Sequence, residues 1–169
     1  VNRFEDVWEI YTEAFPVDER RSRISQCRIM NNTRYQIIPY LREGQLIGFM
    51  GLWKLPSFVF LEHFAIKKAF RGLGYGTEML KELLILHGER VILEVEPPEN
   101  HVAQSRISFY ERHGFSLNTY KYIQPPYEDG QRALPLFLMS YPKSLAKEAF
   151  DGIVGELYQF VYEVSADKV

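Results

Sequence analysis

Between Phe58 and Leu84 the chain changes periodicity once, and the change falls on three glycines within five residues. Phe58 to Ile66 is a β-rich run, and Arg71-Gly72-Leu73-Gly74-Tyr75-Gly76-Thr77 follows after a short basic step at Lys67 and Lys68. Met79, Leu80, Leu83, Leu84 and His87 then recur on one face of a helix that Gly88 ends. A strand that turns through glycine into a helix leaves unpaired N–H groups and the positive end of the helix dipole facing outward. Glycine also permits positive φ and close approach of the backbone to an anion. Such a turn suits a diphosphate. Lys67, Lys68 and Arg71 add positive charge beside it, and Glu78 in the first helical turn offsets part of that charge. Two familiar phosphate loops are excluded: no Gly-Lys-Ser/Thr ends the turn, and Arg71 stands where a dinucleotide fingerprint has its first glycine. A strand-to-helix turn with no ligand is the bland alternative.

The rest of the chain reads in the same two periods. Phe4, Val7, Trp8, Tyr11, Ala14 and Phe15 predict an amphipathic helix that stops at Pro16. A second helix is expected after Asp18, as N-cap, through Ile24 and Cys27 to Asn31-Asn32. Tyr35 to Arg42, Leu46 to Leu55 and Phe58 to Ile66 predict three antiparallel strands in series, joined at Glu43-Gly44-Gln45 and Pro56-Ser57. Val91 to Glu96 reads as a short strand stopped by Pro97-Pro98, and Val102 to His113 as a helix with Gly114 as its C-terminal cap. Ser116 to Ile123 and Ala133 to Tyr141 read as a last strand pair, joined by the loop from Gln124 to Arg132. Strand, helix, strand, helix, strand is the order of a crossover unit feeding a mixed sheet. Leu145, Ala149, Ile153, Leu157, Val161 and Val164 form a final apolar stripe, weakened by Gly152 and Gly155.

Composition removes several function classes. A chain of 169 residues fits one domain, and 46% hydrophobic against 25% charged residues supplies a core. Twenty basic and 22 acidic side chains leave a net charge of −2, without the electrostatic footprint of a nucleic-acid binder. Cys27 is the single cysteine, so no internal disulfide forms, and no Cys/His spacing suits a metal. No apolar run reaches the roughly 20 residues of a membrane span, and a cytoplasmic protein is expected.

Arg71-Gly72-Leu73-Gly74-Tyr75-Gly76 resembles the Arg/Gln-x-x-Gly-x-Gly/Ala signature of the GNAT superfamily of N-acetyltransferases, at the same strand-to-helix junction. Phe109-Tyr110-Glu111-Arg112-His113-Gly114-Phe115 is similar to the second motif of that superfamily, and the two stand in the right order about 35 residues apart. The likeness runs from about Phe4 to Tyr141. It implies an α/β acyl-CoA N-acyltransferase fold, a mixed twisted sheet with helices on both faces. Residues 1–141 would form the acetyltransferase domain and 142–169 a C-terminal helical extension packed on it.

The resemblance further implies acetyl-CoA as co-substrate. Its pyrophosphate would rest on the backbone amides of Arg71, Gly72, Leu73, Gly74, Tyr75, Gly76 and Thr77. Its pantetheine would lie between splayed strands ending near Ile66 and Glu96, with backbone groups of Phe64, Ala65 and Ile66 holding the thioester arm. Tyr110 would be the general acid for the departing thiolate. The sequence departs from the pattern at Ala103, where many members have Asn, with Asn100 three residues earlier. A strand that normally precedes the first helix has only Val1 to Arg3 to supply it.

The residues themselves suggest the proton chemistry. An amine with a pKa near 10 is mostly protonated at neutral pH, so something must accept a proton before it attacks a thioester. Period-two reading puts Phe60, Glu62, Phe64 and Ile66 on one strand face and Leu61, His63 and Ala65 on the other. Glu62 between two Phe is expected to have a raised pKa and to serve as base or amine-binding group; its alternative is a structural ion pair. His63, turned away from it, reads as structural, and His101 and His113 are weaker candidates. Glu96, at the carboxyl end of its strand, either binds a cationic acceptor or is a solvated strand end. The loop from Gln124 to Gly130 either lids the acceptor site or is a plain hairpin loop.

The expected activity is transfer of acetyl from acetyl-CoA directly to a primary amine of a small molecule or peptide. The rival reading is a non-catalytic acyl-CoA-binding sensor of the same fold. A homodimer built on the C-terminal stripe stands beside both.

Overall fold

The two periodicities become strands and helices on a single sheet in a computed structural model that describes residues 3–165. The elements run α1 (Arg3–Ala14), α2 (Arg23–Ile29), β1 (Tyr35–Arg42), β2 (Gln45–Lys54), β3 (Val59–Ile66), α3 (Tyr75–His87) and β4 (Val91–Val95). They continue with α4 (His101–Glu111), β5 (Ser116–Gln124), β6 (Leu134–Tyr141) and α5 (Lys147–Glu156). Strand order is β1-β2-β3-β4-β6-β5, with β3 and β4 parallel and every other pair antiparallel. The mixed α/β architecture and the strand and helix positions expected from the periodicity are present. The initial strand considered for Val1 to Arg3 lies outside the described residues apart from Arg3, which opens α1.

One sheet face carries α3 and α4: Met79, Leu80 and Leu83 of α3 and Ile107 and Tyr110 of α4 bury against Leu52, Leu61 and Leu93. The other carries α1, α2 and the C-terminal segment. Val7, Ile10 and Tyr11 of α1 cover Phe49 and Ala65. Phe150 and Ile153 of α5, with Leu157 and Val161 of the π-type turn after it, join Trp53, Phe60 and Ile92 in one buried cluster. The late apolar stripe therefore belongs to the core. Gly152 and Gly155 have nothing within 4 Å of where a Cβ would stand, so no packing contact requires glycine there and their cost to α5 is one of backbone freedom. No helix among the described residues is long and apolar enough to cross a membrane.

The N-cap expected at Asp18 is displaced. Val17–Glu19 forms a single 3-10 turn, Arg20 is extended with φ −146°, and α2 starts only after Ser22, whose Oγ accepts the Ser25 N–H at 3.2 Å. That extended step carries Arg21 inward, where it is 4% exposed.

The feature that positions the site is an irregularity in β3. Gly51 pairs with His63 and Leu52 with Leu61, so Glu62 is the extra residue of a β-bulge. Period two therefore fails at Glu62. Leu61, Phe64 and Ile66 pack toward α3 and α4, whereas Phe60, His63 and Ala65 pack toward α1 and the C-terminal segment. The expectation that His63 faces away from Glu62 is overturned: His63 Nδ1 lies 3.5 Å from Glu62 Oε2. The bulge also marks where the parallel pair ends. β3 and β4 are registered only from Val59 to Leu61 against Val91 to Leu93, and beyond that point they part.

Candidate active site

The parted strands open a cleft of about 340 Å³. Phe64, Ile66, Val95 and Tyr110 line it from the α3/α4 side, and Phe15, Glu19, His63, Glu94, Gln124 and Tyr127 from the opposite side. Beside the cleft mouth, β3 passes through a 3-10 turn at Lys68–Phe70 into the glycine turn. Gly72 has φ +77° and Gly74 φ +87°, conformations that glycine adopts without strain, and Gly74 is the N-cap of α3. The first bond of the helix ladder runs from the Glu78 N–H to the Gly74 carbonyl at 3.2 Å. The amides before it are the free donors of a helix N-terminus.

Charge around the turn is arranged as an anion site requires. Glu78, the one acid in the first turn of α3, is held by Arg42 Nη2 at 2.6 Å and accepts from Tyr40 OH at 3.0 Å; Arg42 first and then Tyr40 lower its pKa. The Arg42 guanidinium offsets its charge. Arg71 Nε donates to the Ile66 carbonyl at 3.1 Å, tying the start of the turn to the end of β3. Phe64, Ala65 and Ile66 hydrogen-bond β2 along one edge, and their other edge faces the cleft. These residues fit an elongated ligand with a diphosphate at one end. Gly72 and Gly74 have no atom within 4 Å of a built Cβ, so their requirement is conformational and not steric. Replacing Gly74 by valine should therefore disturb the amides through backbone strain of about 1–3 kcal/mol and weaken a nucleotide ligand roughly tenfold or more. Titration calorimetry with acetyl-CoA measures this, and an unchanged Kd would count against the turn as the anchoring site.

Tyr110, expected as a general acid, is 7% exposed, lines the cleft, and sits edge-on to Phe64 and Phe115. Burial pushes its phenol up to about 12, so it holds its proton throughout the neutral range. Asn100 does not reach toward the cleft as a ligand group; its Oδ1 accepts the Ala103 N–H at 2.9 Å and caps α4. Glu96 stands at the rim, its Oε2 3.8 Å from Arg106 Nη1 with both side chains substantially exposed. Such a pair contributes little to stability. Glu19 faces the same rim, and burial first and Glu96 second raise its pKa.

Glu62 behaves opposite to the sequence expectation. Its side chain is 0% exposed, and donors meet both carboxylate oxygens. Arg21 Nη1 lies 2.8 Å from Oε1, Tyr127 OH donates to Oε1 at 3.0 Å, and Trp53 Nε1 donates to Oε2 at 2.9 Å. Burial alone would raise the carboxyl pKa as expected, but Arg21, with His63 and Trp53, outweighs it and holds Glu62 well below the usual carboxylate range. The guanidinium of Arg21 also stacks 4.4 Å from the Tyr127 ring centroid. Thus the loop after β5 is no detached lid, because Tyr127 reaches from it into the ion pair.

Among the acids bonded beneath the cleft, the one whose pKa is raised is Glu94. Both Glu94 oxygens accept from Tyr162 OH, at 2.8 and 2.9 Å, and Tyr122 OH donates to Oε1. Burial raises its pKa to about 7, against the lowering effect of the two phenols. Arg21 was missed, and Tyr127 and Gln124 were expected only as part of a loop over the acceptor site, without roles of their own. They lie in a charge run, a proline-flanked loop and a strand end, where neither period gives a signal.

Comparison with known proteins follows the same lines. The model of the acetyltransferase (GNAT) family matches residues 4–115. Among solved structures, a protein from Bacteroides thetaiotaomicron described as an acetyltransferase of the GNAT family is 33% identical, covering 96% of this chain and 93% of its own at a TM-score of 0.91. The ribosomal-protein-S18-alanine N-acetyltransferase of Escherichia coli is 22% identical over 80% of this chain and 83% of its own, with a TM-score of 0.56. Naa50 of Arabidopsis thaliana, in complex with a bisubstrate analogue, is 16% identical over 85% and 93%, with a TM-score of 0.61. The last two share the fold. No match is found among curated proteins.

Proposed function

The chain belongs to the GNAT family of acetyltransferases, and from that premise we propose that it moves the acetyl group of acetyl-CoA to a primary amine held in the carboxylate-lined side of the cleft. The observation that carries this reading is the parting of β3 from β4 at the Glu62 bulge, between an open-amide turn on one side and buried carboxylates on the other. Acetyl-CoA supplies an activated thioester, so that no covalent enzyme intermediate is needed.

Each residue then has a task. The amides from Arg71 to Thr77 take the diphosphate, and the free edge of Phe64, Ala65 and Ile66 aligns the thioester arm, so that positioning supplies much of the rate. Glu94, open to the cleft and poised near neutrality, accepts a proton from the bound ammonium and leaves a nucleophilic amine. Glu62 does not exchange protons in the neutral range. It stays ionised in the cleft wall, fixes Arg21, Tyr127 and Trp53, and adds a standing negative field that favours a cation. Glu96 and Glu19 at the rim extend that field. As the C–N bond forms and the C–S bond breaks, Tyr110 donates a hydrogen bond to the departing sulfur where negative charge grows, and the proton shed by the acylated nitrogen leaves with that sulfur as the free thiol.

Two measurements test the reading. Calorimetry should detect acetyl-CoA binding, and free-thiol release should accelerate on adding a primary amine. Binding with no amine-dependent thiol release would leave a sensor and remove the transferase reading. Tyr110→Phe should keep the acetyl-CoA Kd and lower kcat by about 10- to 100-fold, the value of one hydrogen bond to a charged group. An unchanged kcat would remove Tyr110 from the chemistry.

A further inference from the structure

Resting on the acetyl-transfer reading, we infer that the acceptor is a compact, non-anionic primary amine carrying a neutral hydroxyl or carboxamide group, and not a protein chain. The first ground is Gln124. It is 3% exposed and lines the cleft, and its Nε2 has no hydrogen-bond partner. A buried donor without a partner costs about 1–3 kcal/mol, so a ligand that satisfies it gains that much relative to one that does not. Gln124 follows Tyr122 by two residues on β5, which places it on the strand face from which Tyr122 bonds Glu94. An amine delivered to Glu94 therefore brings its own substituents toward Gln124. The unmet group is a donor, and the oxygen of a hydroxyl or carboxamide accepts from it without bringing a charge.

Charge narrows the class further. Glu19, Glu62, Glu94 and Glu96 line this cleft, against Arg71 and Arg106; Arg71 is tied to the Ile66 carbonyl and Arg106 lies beside Glu96. A carboxylate on the acceptor would meet four carboxylates against two arginines in a confined space, a net repulsion.

The third ground is the roof. The segment after α1 and the loop after β5 are joined across the acceptor side by several polar contacts. Gln131 Nε2 donates to the Val17 carbonyl at 2.7 Å and the Arg20 carbonyl at 3.1 Å. The Ser22 N–H donates to Glu128 Oε1 at 2.8 Å, and Arg132 Nε donates to Asp18 Oδ2 at 3.1 Å. Tyr127, packed on Arg21 and bonded to Glu62, anchors the same loop from inside. A polypeptide acceptor must lay backbone beside its amine, and these joined segments occupy that space. A small molecule needs no such groove.

The test compares four amines of similar size, propylamine, 3-aminopropanol, glycinamide and glycine, with a tripeptide that has a free N-terminus, each at saturating acetyl-CoA. Thiol release gives kcat/KM, and calorimetry on the CoA-saturated protein gives affinity without turnover. The expected order puts 3-aminopropanol and glycinamide about tenfold above propylamine in both readouts, the worth of one neutral hydrogen bond, with glycine and the tripeptide lowest. In Gln124→Leu the preference over propylamine should fall to about one, while the heat of acetyl-CoA binding reports that the variant is folded. Tripeptide turnover above that of the small amines, equal affinity of wild type for propylamine and 3-aminopropanol, or binding of none of the small amines overturns the inference while the transferase reading stands. Loss of acetyl-CoA binding in the wild type would instead strike the reading beneath it.

Discussion

Arg21→Met should destabilise the fold by about 3–5 kcal/mol, because it leaves the Glu62 carboxylate buried without its cation. Arg21 is 4% exposed and the Glu62 side chain 0% exposed, so solvent cannot screen the loss. The guanidinium makes several contacts at once: Nη1 on Glu62, Nη2 on the Val161 carbonyl at 3.3 Å, and its face over Tyr127. The substitution thus loosens three chain segments at one buried point. Urea unfolding measures the effect, and the double variant Arg21→Met/Glu62→Gln separates its causes. A neutral amide at residue 62 can still accept from Trp53 and Tyr127, so the double variant should recover most of the loss. If it is as unstable as Arg21→Met, the uncompensated charge is not the reason. The pH dependence provides a second check. In the wild type the folded pKa of Glu62 is depressed, so its contribution is present above the unfolded value and is lost as pH falls through the folded one. Without Arg21, burial dominates and the folded pKa lies above the unfolded value. The variant then gains stability on acidification from pH 7 to 5, and its deficit against wild type narrows.

Local chemistry made much of this molecule legible in the sequence. The glycines at 72 and 74 are required by backbone conformation, and the extents of β1, β3 and α3 follow from periodicity within a residue or two. Tyr110 was found because a motif fixes its place on α4. What escaped the sequence was long-range. Asp18 to Arg23 is a run of charged and polar residues that reads as a solvated surface, and nothing local says that Arg21 alone turns inward. The bulge at Glu62 inverts the parity on which the assignment of faces to Glu62 and His63 depended, and a bulge is a property of the pair β2/β3, not of β3. The sign of a buried carboxylate's pKa shift is likewise decided by its partners. Glu62 and Glu94 are both acids on strands beneath the same cleft; one meets a guanidinium and the other two phenols, and their pKa values move in opposite directions.

That divergence leads to the change with the largest expected effect on rate. Glu94→Gln should lower kcat/KM for a primary amine by about 10²–10⁴-fold at pH 8, the usual worth of a positioned proton acceptor. The pH profile identifies the cause. With Glu94 titrating at about 7, the wild-type kcat/KM should rise with pH up to that value and then level off. In the variant only the minor free-amine fraction reacts, so the rate should keep rising toward the amine's own pKa of roughly 10, with no bend near neutrality. A wild-type profile without that bend, or a variant that retains it, would assign proton acceptance to another group. Stability should move the other way. Because the folded pKa of Glu94 is raised above its unfolded value of 4.5, its favourable contribution is complete below that value and is lost as pH rises through about 7. At pH 8 the wild type therefore holds an unfavourable buried carboxylate that glutamine removes, so Glu94→Gln should be the slower enzyme and the more stable protein. A residue serving only to hold the tyrosines Tyr122 and Tyr162 together would lose stability on the same substitution, which makes denaturant unfolding at pH 8 the measurement that distinguishes a site for protons from a piece of scaffold.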